Sequence, residues 1–283
     1  MSLPKKLTIC IVHYRRLPQL KKAVRCLKDN TFNDFNLKIL NNGYLDNDIK
    51  EYLDSLCEDE NIEVVYSADN LGPGGGRNVL ISDIKTPFVV TMDDDVYMTT
   101  QGWDVPLIDI MERDSDVGAV GLPLYDQDGR FMCLGANKVN IAKRVIKFSP
   151  YMILPDDYSD DFLEVDSLSC VIVYRHEIND HIKVDSMCQI NDDWERSVAL
   201  KRMGRRCLVY MRGKAVHERA SVNRDFANYN KSRRDYRKIR QDYLLLVEKS
   251  GLRLDILRHC FYKYVCLLPN NITRELAYRW LNK

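Results

Sequence analysis

Short apolar runs alternate with segments of helical spacing over the first third of the chain. Four runs are rich in β-branched and large apolar residues and predict strands, at residues 7–12, 37–40, 62–66 and 88–92, the last of them buried. The segments between them have apolar residues at helical spacing, and residues 46–56 are the clearest case. This alternation predicts an α/β domain with a mainly parallel sheet and helices on both faces.

The pattern loosens after residue 103. Further strands are predicted at residues 117–122, 168–174 and 206–210, with a hairpin near Asp128-Gly129 and a helix that ends near Arg202. The glycine-rich segment 72–76 is predicted as a loop that leads into a helix. We therefore expect an α/β domain over residues 1–225. A C-terminal helical extension over residues 226–283 is expected to pack on that domain or lie at a membrane surface.

Three consecutive aspartates, Asp93, Asp94 and Asp95, follow directly on the fourth predicted strand and are called the acidic triplet below. Ligands of such sheets bind beyond the carboxyl ends of the strands, where Asn41 and Asn42 also fall. Grouped carboxylates repel one another unless a positive charge lies between them, and Mg²⁺ or Mn²⁺ commonly supplies it and brings phosphates along. A solvated acidic turn explains the three residues equally well on their own.

Taken in order, these segments resemble the family-2 glycosyltransferases of the GT-A fold. The resemblance covers residues 7–217 and continues more weakly to residue 243. Its motifs are Val12-His13-Tyr14-Arg15, Asn41-Asn42-Gly43-Tyr44, Asn70-Leu71-Gly72 with Arg77-Asn78, Asp93-Asp94-Asp95, Asp192-Asp193 and His217. Each motif alone is weak, and their order and spacing make the resemblance specific.

The resemblance implies a metal-dependent, inverting transfer of a sugar from a nucleotide-diphosphate sugar to a hydroxyl of a glycan or lipid-linked acceptor. It implies that Asp95 binds Mn²⁺ or Mg²⁺ directly, that Asp93 contributes through ribose or water, and that His217 completes the metal or diphosphate site. It assigns nucleotide binding to a larger set, namely His13, Tyr14, Arg15, Asn41, Asn70, Gly72, Arg77, Asp93 and Asp94. Without the other motifs, His217 is better explained as an ordinary histidine at a strand end that bonds to backbone. For Arg77 the alternative is a solvated charge, and its place in the motif favours a phosphate or nucleobase contact.

The pair Asp192-Asp193 supplies the candidate catalytic base. Asp192 and Glu195 fit a helix-capping arrangement, which gives Asp192 a structural role. Asp193 then lies at the first helical position, where acidic neighbours raise its pKa and Arg196 and a metal oppose that rise. We predict Asp193 as the base that deprotonates the acceptor hydroxyl, with Asp192 as the second candidate.

Asn41 departs from the resemblance, because family members commonly have an aspartate there that accepts the N3–H of uracil. An amide oxygen can still accept that proton, while the amide NH₂ can donate to a carbonyl. UDP or dTDP is the expected donor nucleotide, although the asparagine weakens the case for UDP. A plain Asn-Asn-Gly turn is the structural alternative.

Several further candidates keep two interpretations. Trp103 and Trp194 either flank a sugar ring or belong to the core. Tyr125, Asp126 and Asp128 are polar candidates for contact with the acceptor.

Two other functions fit parts of this pattern. A sugar-1-phosphate nucleotidyltransferase needs a glycine-rich phosphate loop directly after its first strand, where this chain has His13-Tyr14-Arg15-Arg16. The glycine-rich segment 72–76 matches neither the dinucleotide-binding nor the phosphate-loop pattern. A non-catalytic nucleotide- or nucleic-acid-binding protein would not need both Asp193 and His217.

Charge and cysteine content indicate the cellular compartment and the partner class of the protein. The 42 Lys and Arg residues balance 41 Asp and Glu residues, so we expect no nucleic-acid partner. Nine cysteines are scattered without a C-x-x-C pair, and no stretch approaches the roughly 20 apolar residues of a membrane span. These features predict a reduced, cytoplasmic protein.

A basic segment near the C-terminus could change that setting. Residues 231–240 include six basic residues, and Tyr236, Ile239 and Tyr243 continue an amphipathic helical pattern. A solvated helix docked on the domain and attachment to the anionic inner face of a membrane both stay open, and the second suits a lipid-linked acceptor. The balanced charge disfavours nucleic-acid binding by this segment.

Overall fold

The computed structural model of the protein describes residues 5–140, 145–150, 159–184, 192–218 and 253–254. The helices in this part of the chain are α1 (Leu17–Asn30), α2 (Asn47–Leu56), α3 (Gly72–Leu80), α4 (Asp104–Arg113) and α5 (Asp192–Arg202). The strands are β1 (Leu7–His13), β2 (Phe35–Asn42), β3 (Ile62–Ser67), β4 (Phe88–Asp93), β5 (Val96–Met98), β6 (Val117–Gly121), β7 (Leu124–Asp126), β8 (Phe131–Cys133), β9 (Ala136–Asn140), β10 (Val145–Pro150), β11 (Phe162–Val165), β12 (Ile172–Arg175), β13 (Arg206–Tyr210), β14 (Ala215–His217) and β15 (Arg253–Leu254).

One large sheet organises the domain. Its strands follow the order β11-β13-β6-β12-β4-β1-β2-β3. β1 pairs in parallel with β2 and β4, and β2 pairs in parallel with β3, while β12 runs antiparallel between β4 and β6. Helices α1, α2 and α3 connect the parallel strands, as crossovers of this kind require. The predicted α/β class, with a mainly parallel sheet flanked by helices, is confirmed.

Both faces of β1 are covered, which explains why its sequence is apolar throughout. Ile9 lies in a buried cluster with Leu20 of α1, whereas Cys10, the next residue, lies in a second cluster with Leu80 of α3. Successive side chains of a strand point to opposite faces, so a single apolar run supplies both clusters. Each large aliphatic side chain buried in this way contributes about 1.5–3 kcal/mol to folding.

The glycine-rich segment is helical, and the prediction of a loop over residues 72–76 is wrong. Helix α3 begins at Gly72. A Cβ atom on Gly76 would lie 2.8 Å from Cγ1 of Val12 in β1. The missing side chain lets α3 approach the sheet closely, and this packing outweighs the low helix propensity of glycine.

A smaller sheet brings the end of β14 beside the acidic triplet. Its strand order is β5-β14-β7-β8, and the pair β7 and β8 is the hairpin predicted near residue 128. Strand β5 begins at Val96, directly after Asp95, and antiparallel pairing places His217 opposite Val96. The backbone N–H of Glu218 donates to the carbonyl oxygen of Asp95 at 2.8 Å. Backbone pairing alone therefore carries His217 across 122 residues of sequence to Asp95.

Two regions differ from the sequence prediction. The strand predicted over residues 168–174 begins only at Ile172, because Cys170 has a φ of 61° that interrupts extended pairing.

Helix α4 was not predicted at all. Trp103, which precedes α4, is fully buried in the core, and its Nε1 donates to Oγ1 of Thr31 at 3.1 Å. The core interpretation of Trp103 is the correct one.

Little of the predicted helical extension over residues 226–283 falls within the described residues. Arg253 and Leu254 form β15 and pair in parallel with β10, so the helical prediction is wrong at these two positions. Strand pairing there satisfies backbone groups that a helix would bond internally. The basic segment 231–240 lies outside the described residues. Among the helices of the described part, none is both long and apolar enough to cross a membrane.

The tight turn after β2 gives a first test of the fold. Gly43 has a φ of +83°, and a Cβ atom there would lie 2.4 Å from the backbone nitrogen of Asn70. A Gly43→Ala variant is expected to lose about 2–4 kcal/mol of unfolding free energy, since it adds backbone strain and a clash with rigid backbone. Urea unfolding measures the loss.

Gly129 provides the matched control for this substitution. It has a similar φ of +79°, but within the described chain a Cβ atom would meet nothing closer than 4 Å. Gly129→Ala is therefore expected to cost only the strain, about 1 kcal/mol. Equal losses in the two variants would contradict the close approach of Gly43 and Asn70.

Candidate active site

The carboxyl ends of β1, β2 and β4 bring polar residues from distant parts of the chain to one edge of the sheet. In the parallel register, His13 lies opposite Asn41, and Val12 lies opposite Asp93. The sequence predicted this meeting of Asn41 with the acidic triplet. The three aspartates, however, point into three different environments.

Asp94 lies beneath the edge and is completely buried. Its Oδ2 accepts hydrogen bonds from Nδ1 of His13 at 2.8 Å and from the backbone N–H of Tyr14 at 3.1 Å. Its Oδ1 lies 2.5 Å from Nη2 of Arg16. A carboxylate only accepts, so Nδ1 of His13 is the donor in this hydrogen bond. Asp94 thus orients residues 13–16, and its direct contact with a nucleotide stays a prediction.

Asp95 is paired with His217 and Arg16. Its Oδ2 accepts from Nη1 of Arg16 and lies 3.2 Å from Nε2 of His217. Burial alone lowers the pKa of His217, but the hydrogen bond and charge of Asp95 outweigh this and raise that pKa above its ordinary value. The other carboxylate oxygen, Oδ1, is buried and has no hydrogen-bond partner among the described residues. A buried carboxylate oxygen left this way is costly unless a cation or donor satisfies it.

These contacts fit a divalent cation that is completed by its substrate. The part of the chain that is described has no three His, Cys, Asp or Glu side chains gathered as a ready-made metal site. Asp95 and His217 supply two neighbouring ligand groups, and the orphaned Oδ1 of Asp95 offers a coordination position. Mg²⁺ is usually held in this manner, by one or two carboxylates together with substrate phosphates and water.

Arg77 joins Asp93 of the acidic triplet to Asp193 of α5. Its guanidinium is buried, with Nη2 2.6 Å from Oδ1 of Asp93 and Nη1 3.5 Å from Oδ1 of Asp193. Burial alone lowers the pKa of Arg77, but the charges of the two carboxylates outweigh it and raise that pKa. Sequence analysis predicted a phosphate or nucleobase contact for Arg77, and that role stays a prediction.

Asp193 lies in the first turn of α5, and 23% of its side chain is exposed. Its Oδ2 accepts from the backbone N–H of Cys170 at 3.3 Å, which the left-handed backbone of Cys170 makes possible. Burial raises the pKa of Asp193 above its ordinary value, and the charge of Arg77 opposes this rise. A raised pKa makes a carboxylate a better proton acceptor, as a general base needs. The side chains of Asp192 and Trp194 lie outside the described residues.

The two asparagines at the end of β2 have different roles. Asn42 accepts from the backbone N–H of Leu71 at 2.8 Å and donates to Oδ1 of Asn70 and the carbonyl of Gly72, both at 3.2 Å. These bonds fix the segment that starts α3, so Asn70 and Gly72 have structural partners, and their contact with a nucleotide stays a prediction. Asn41 is buried too, but its Oδ1 has no hydrogen-bond partner in the described chain.

Aromatic and cationic groups follow β1 and β2 at the same edge of the sheet as Asn41. The rings of Tyr14 and Tyr44 meet edge to face with centroids 6.3 Å apart. The guanidinium of Arg15 lies 4.1 Å from the ring centroid of Tyr44 and 5.3 Å from that of Tyr14. Planar groups of this kind form a surface on which a nucleobase can stack.

Sequence analysis gave no site role to Arg16 and named Arg196 only as a charge near Asp193. Arg16 bridges Asp94 and Asp95, and its place between β1 and α1, at the carboxyl end of a central strand, was a signal for this role. Arg196 lies about one helical turn after Asp193 and is fully buried, yet none of its side-chain nitrogens has a hydrogen-bond partner in the described structure. Burial lowers the pKa of Arg196. As sequence analysis predicted, the charge of Arg196 also opposes the rise in the pKa of Asp193.

The candidate acceptor residues in the β7–β8 hairpin have structural partners of their own. Oδ1 of Asp126 accepts from the backbone N–H groups of Asp128 at 3.0 Å and Arg130 at 2.8 Å. The ring of Tyr125 lies against Phe131 and beneath the ammonium of Lys214. Contact of Tyr125, Asp126 or Asp128 with an acceptor stays a prediction.

The chain is similar to known proteins in sequence and in structure. Over 92 residues it is 29% identical to the teichoic acid poly(glycerol phosphate) polymerase of Staphylococcus epidermidis, a match that covers 32% of this chain and 13% of that protein. GalNAc-T7, solved with UDP, GalNAc and Mn²⁺, is 14% identical with a TM-score of 0.61, over 76% of this chain and 44% of that one. S. aureus TarS (residues 1–349), solved with UDP, is 14% identical with a TM-score of 0.57, over 76% of this chain and 61% of that one.

The chain spans less than two thirds of each of these proteins, and at such identities the structural likeness shows the fold alone. Residues 8–182, more than half of the chain, match the family model described as Glycosyl transferase family 2. This match shows that the chain belongs to glycosyl transferase family 2.

Proposed function

We propose that this protein is a metal-dependent, inverting glycosyltransferase that moves a sugar from a nucleotide-diphosphate sugar to a hydroxyl of a glycan or lipid-linked acceptor. The observation that supports this most is the bridge that Arg77 makes between Asp93 and Asp193. The bridge brings the acidic triplet, which suits a diphosphate and its cation, next to a partly exposed carboxylate that suits proton abstraction. A donor site and a base are thereby adjacent.

The proposed reaction is a single displacement. The acceptor oxygen forms a bond to the anomeric carbon while the bond from that carbon to the donor phosphate oxygen breaks. The proton of the acceptor hydroxyl passes to Asp193, and the nucleoside diphosphate leaves with the electron pair. Attack opposite the leaving group inverts the anomeric configuration, and a single base is sufficient for it.

Asp95 and His217 are the residues that would hold Mn²⁺ or Mg²⁺, with Asp93 contributing through ribose or water. When bound, the cation supplies Lewis-acid stabilisation of the negative charge on the leaving diphosphate. Arg77 and Arg16 pair with Asp93 and Asp95 and would help to balance the charges around the cation. The Mn²⁺ and UDP named for GalNAc-T7 and the UDP named for TarS support a cation and a pyrimidine nucleotide.

For the acceptor, we propose only its chemical class. The curated relative is named for a teichoic acid polymer, which supports a polymeric or lipid-linked acceptor over a small molecule. Contact with a membrane through the basic segment 231–240 belongs to this proposal, and binding to anionic liposomes at low salt would test it.

A thermal-shift experiment tests the donor site. UDP and dTDP with Mn²⁺ or Mg²⁺ are expected to raise the melting temperature by on the order of 5 °C at 100 times Kd, and EDTA is expected to abolish this shift. Asp95→Asn should lose the cation-dependent shift. Asp128→Asn, which changes an exposed carboxylate of the hairpin, should retain it. If no nucleoside diphosphate shifts the protein with either cation, or if the shift survives EDTA, the proposal fails.

A further inference from the structure

We infer that Asn41 and His13 together recognise the nucleobase of the donor, and that this pair accepts cytosine at least as well as uracil. The inference rests on the proposed function, because it presumes a pyrimidine nucleotide in the cleft. It adds cytidine diphosphate to UDP and dTDP, the donor nucleotides that sequence analysis predicted.

Asn41 is built as a ligand-binding residue. It is only 2% exposed, and its amide oxygen has no partner within the described residues. Its neighbour Asn42 shows that the turn does not need Asn41, because Asn42 alone makes the three side-chain bonds that hold residues 70–72. A buried amide oxygen without a partner is costly in a native protein, and this one lies at the carboxyl end of a strand, where the ligands of such sheets bind.

His13 supplies a second orphaned atom on the neighbouring strand. The two residues are opposite each other on β1 and β2. Ile11 and Ile39, two positions earlier on the same strands, both belong to one buried cluster, so His13 and Asn41 are on the same face of the sheet as that cluster. Nδ1 of His13 donates to Asp94, so Nε2 presents a lone pair in the neutral imidazole. Nε2 is also buried and lacks a partner in the part of the chain described.

The hydrogen-bonding pattern distinguishes two pyrimidines. Uracil offers one N3–H between two carbonyl groups, whereas cytosine offers an exocyclic NH₂ beside an N3 that accepts. The amide of Asn41 can pair with either base, since rotation of its plane exchanges donor and acceptor. The lone pair on Nε2 of His13 needs a hydrogen-bond donor in addition to the one that pairs with Asn41. Of the two bases, only cytosine has an amino group that can supply it. The neighbouring acceptors therefore favour cytosine.

The stacking surface completes the site. Tyr44 packs against the same buried cluster, and the rings of Tyr14 and Tyr44 with Arg15 lie at this end of the strands. They can stack on either pyrimidine, so they contribute affinity without choosing between the bases. Asn41 and His13 therefore discriminate between cytosine and uracil.

Calorimetric titration of the full chain with CDP, UDP and ADP, each with saturating Mn²⁺, tests the inference. Wild-type protein is expected to bind CDP at least as tightly as UDP. Asn41→Asp is expected to bind CDP at least 10-fold more weakly, since a carboxylate repels the N3 lone pair of cytosine. The same variant should bind UDP within about threefold of wild type, which also shows that it folds.

The possible results separate this inference from the proposed function. If UDP binds wild-type protein and CDP binds more than 10-fold more weakly, the cytosine assignment is overturned while the donor site stands. If ADP binds as tightly as CDP, the pyrimidine assignment is overturned, because adenine has the same amino-and-acceptor edge. If no nucleotide binds with any cation, the proposed function itself fails. The wild-type ratio decides the question even if Asn41→Asp does not fold.

Discussion

An Asp193→Asn variant is expected to transfer sugar about 10²–10⁴-fold more slowly than wild type, the usual contribution of a general base. The amide occupies the same space but cannot take the proton of the acceptor hydroxyl. Nucleotide binding should persist, because Asp95, His217 and Asn41 are unchanged. Initial rates of product formation at saturating donor measure the loss, which should appear in kcat and leave the donor KM nearly constant.

The neighbouring acidic residues on α5 serve as controls for this loss. Glu195→Gln makes the same change of charge two residues along the helix and is expected to leave the rate within about threefold, as expected for a group outside the reaction. Asp192→Asn tests the second candidate base. If that variant loses transfer and Asp193→Asn does not, the base is Asp192.

The stability of Asp193→Asn separates a chemical defect from misfolding. Burial raises the pKa of Asp193 in the folded protein. Such a group favours the folded state below its unfolded pKa, where it is protonated, and this contribution is lost as pH rises through the folded pKa. At neutral pH the variant should therefore be at least as stable as wild type, with an advantage that shrinks on acidification. A variant that is both inactive and less stable at neutral pH would contradict the assignment.

Much of the fold could be predicted because its central strands are buried on both faces. The runs that became β1, β2 and β4 are largely apolar for that reason, whereas β3 is the edge strand and is only partly buried. The four strands are separated by helices of ordinary spacing. Helix α3 could not be predicted to begin at Gly72, since only the contact between Gly76 and Val12 justifies glycines within a helix. The late start of β12 depends on the backbone of Cys170, for which the sequence has no glycine to indicate a positive φ.

The position of the candidate site could be predicted, but its internal pairing could not. The acidic triplet implied that a positive charge must lie between its carboxylates, and a metal was the expected answer. The guanidinium groups of Arg16 and Arg77 already supply part of that positive charge. Arg16 comes from the start of α1 and Arg77 from α3, and which carboxylate each one meets depends on helix packing that no local pattern specifies.

The two buried arginines near Asp193 are expected to respond to the same substitution with opposite signs. Arg77 is paired with Asp93 and Asp193, and Arg77→Met would leave two largely buried carboxylates without their counter-charge. Removal of one partner of a buried ion pair typically costs about 3–5 kcal/mol, and we expect a loss of this size in urea unfolding at neutral pH.

Arg196 is the matched control, because it is equally buried but has no hydrogen-bond partner within the described chain. Arg196→Met removes a desolvated charge and fills the space with an apolar side chain of similar length, so we expect a gain of about 1–3 kcal/mol. The contrast has a clear physical meaning: the carboxylates, and not burial, make Arg77 a stabilising residue. Losses of equal size in both variants would show that Arg196 has a counter-charge of its own, and would leave the Arg77 bridge without a special role in stability.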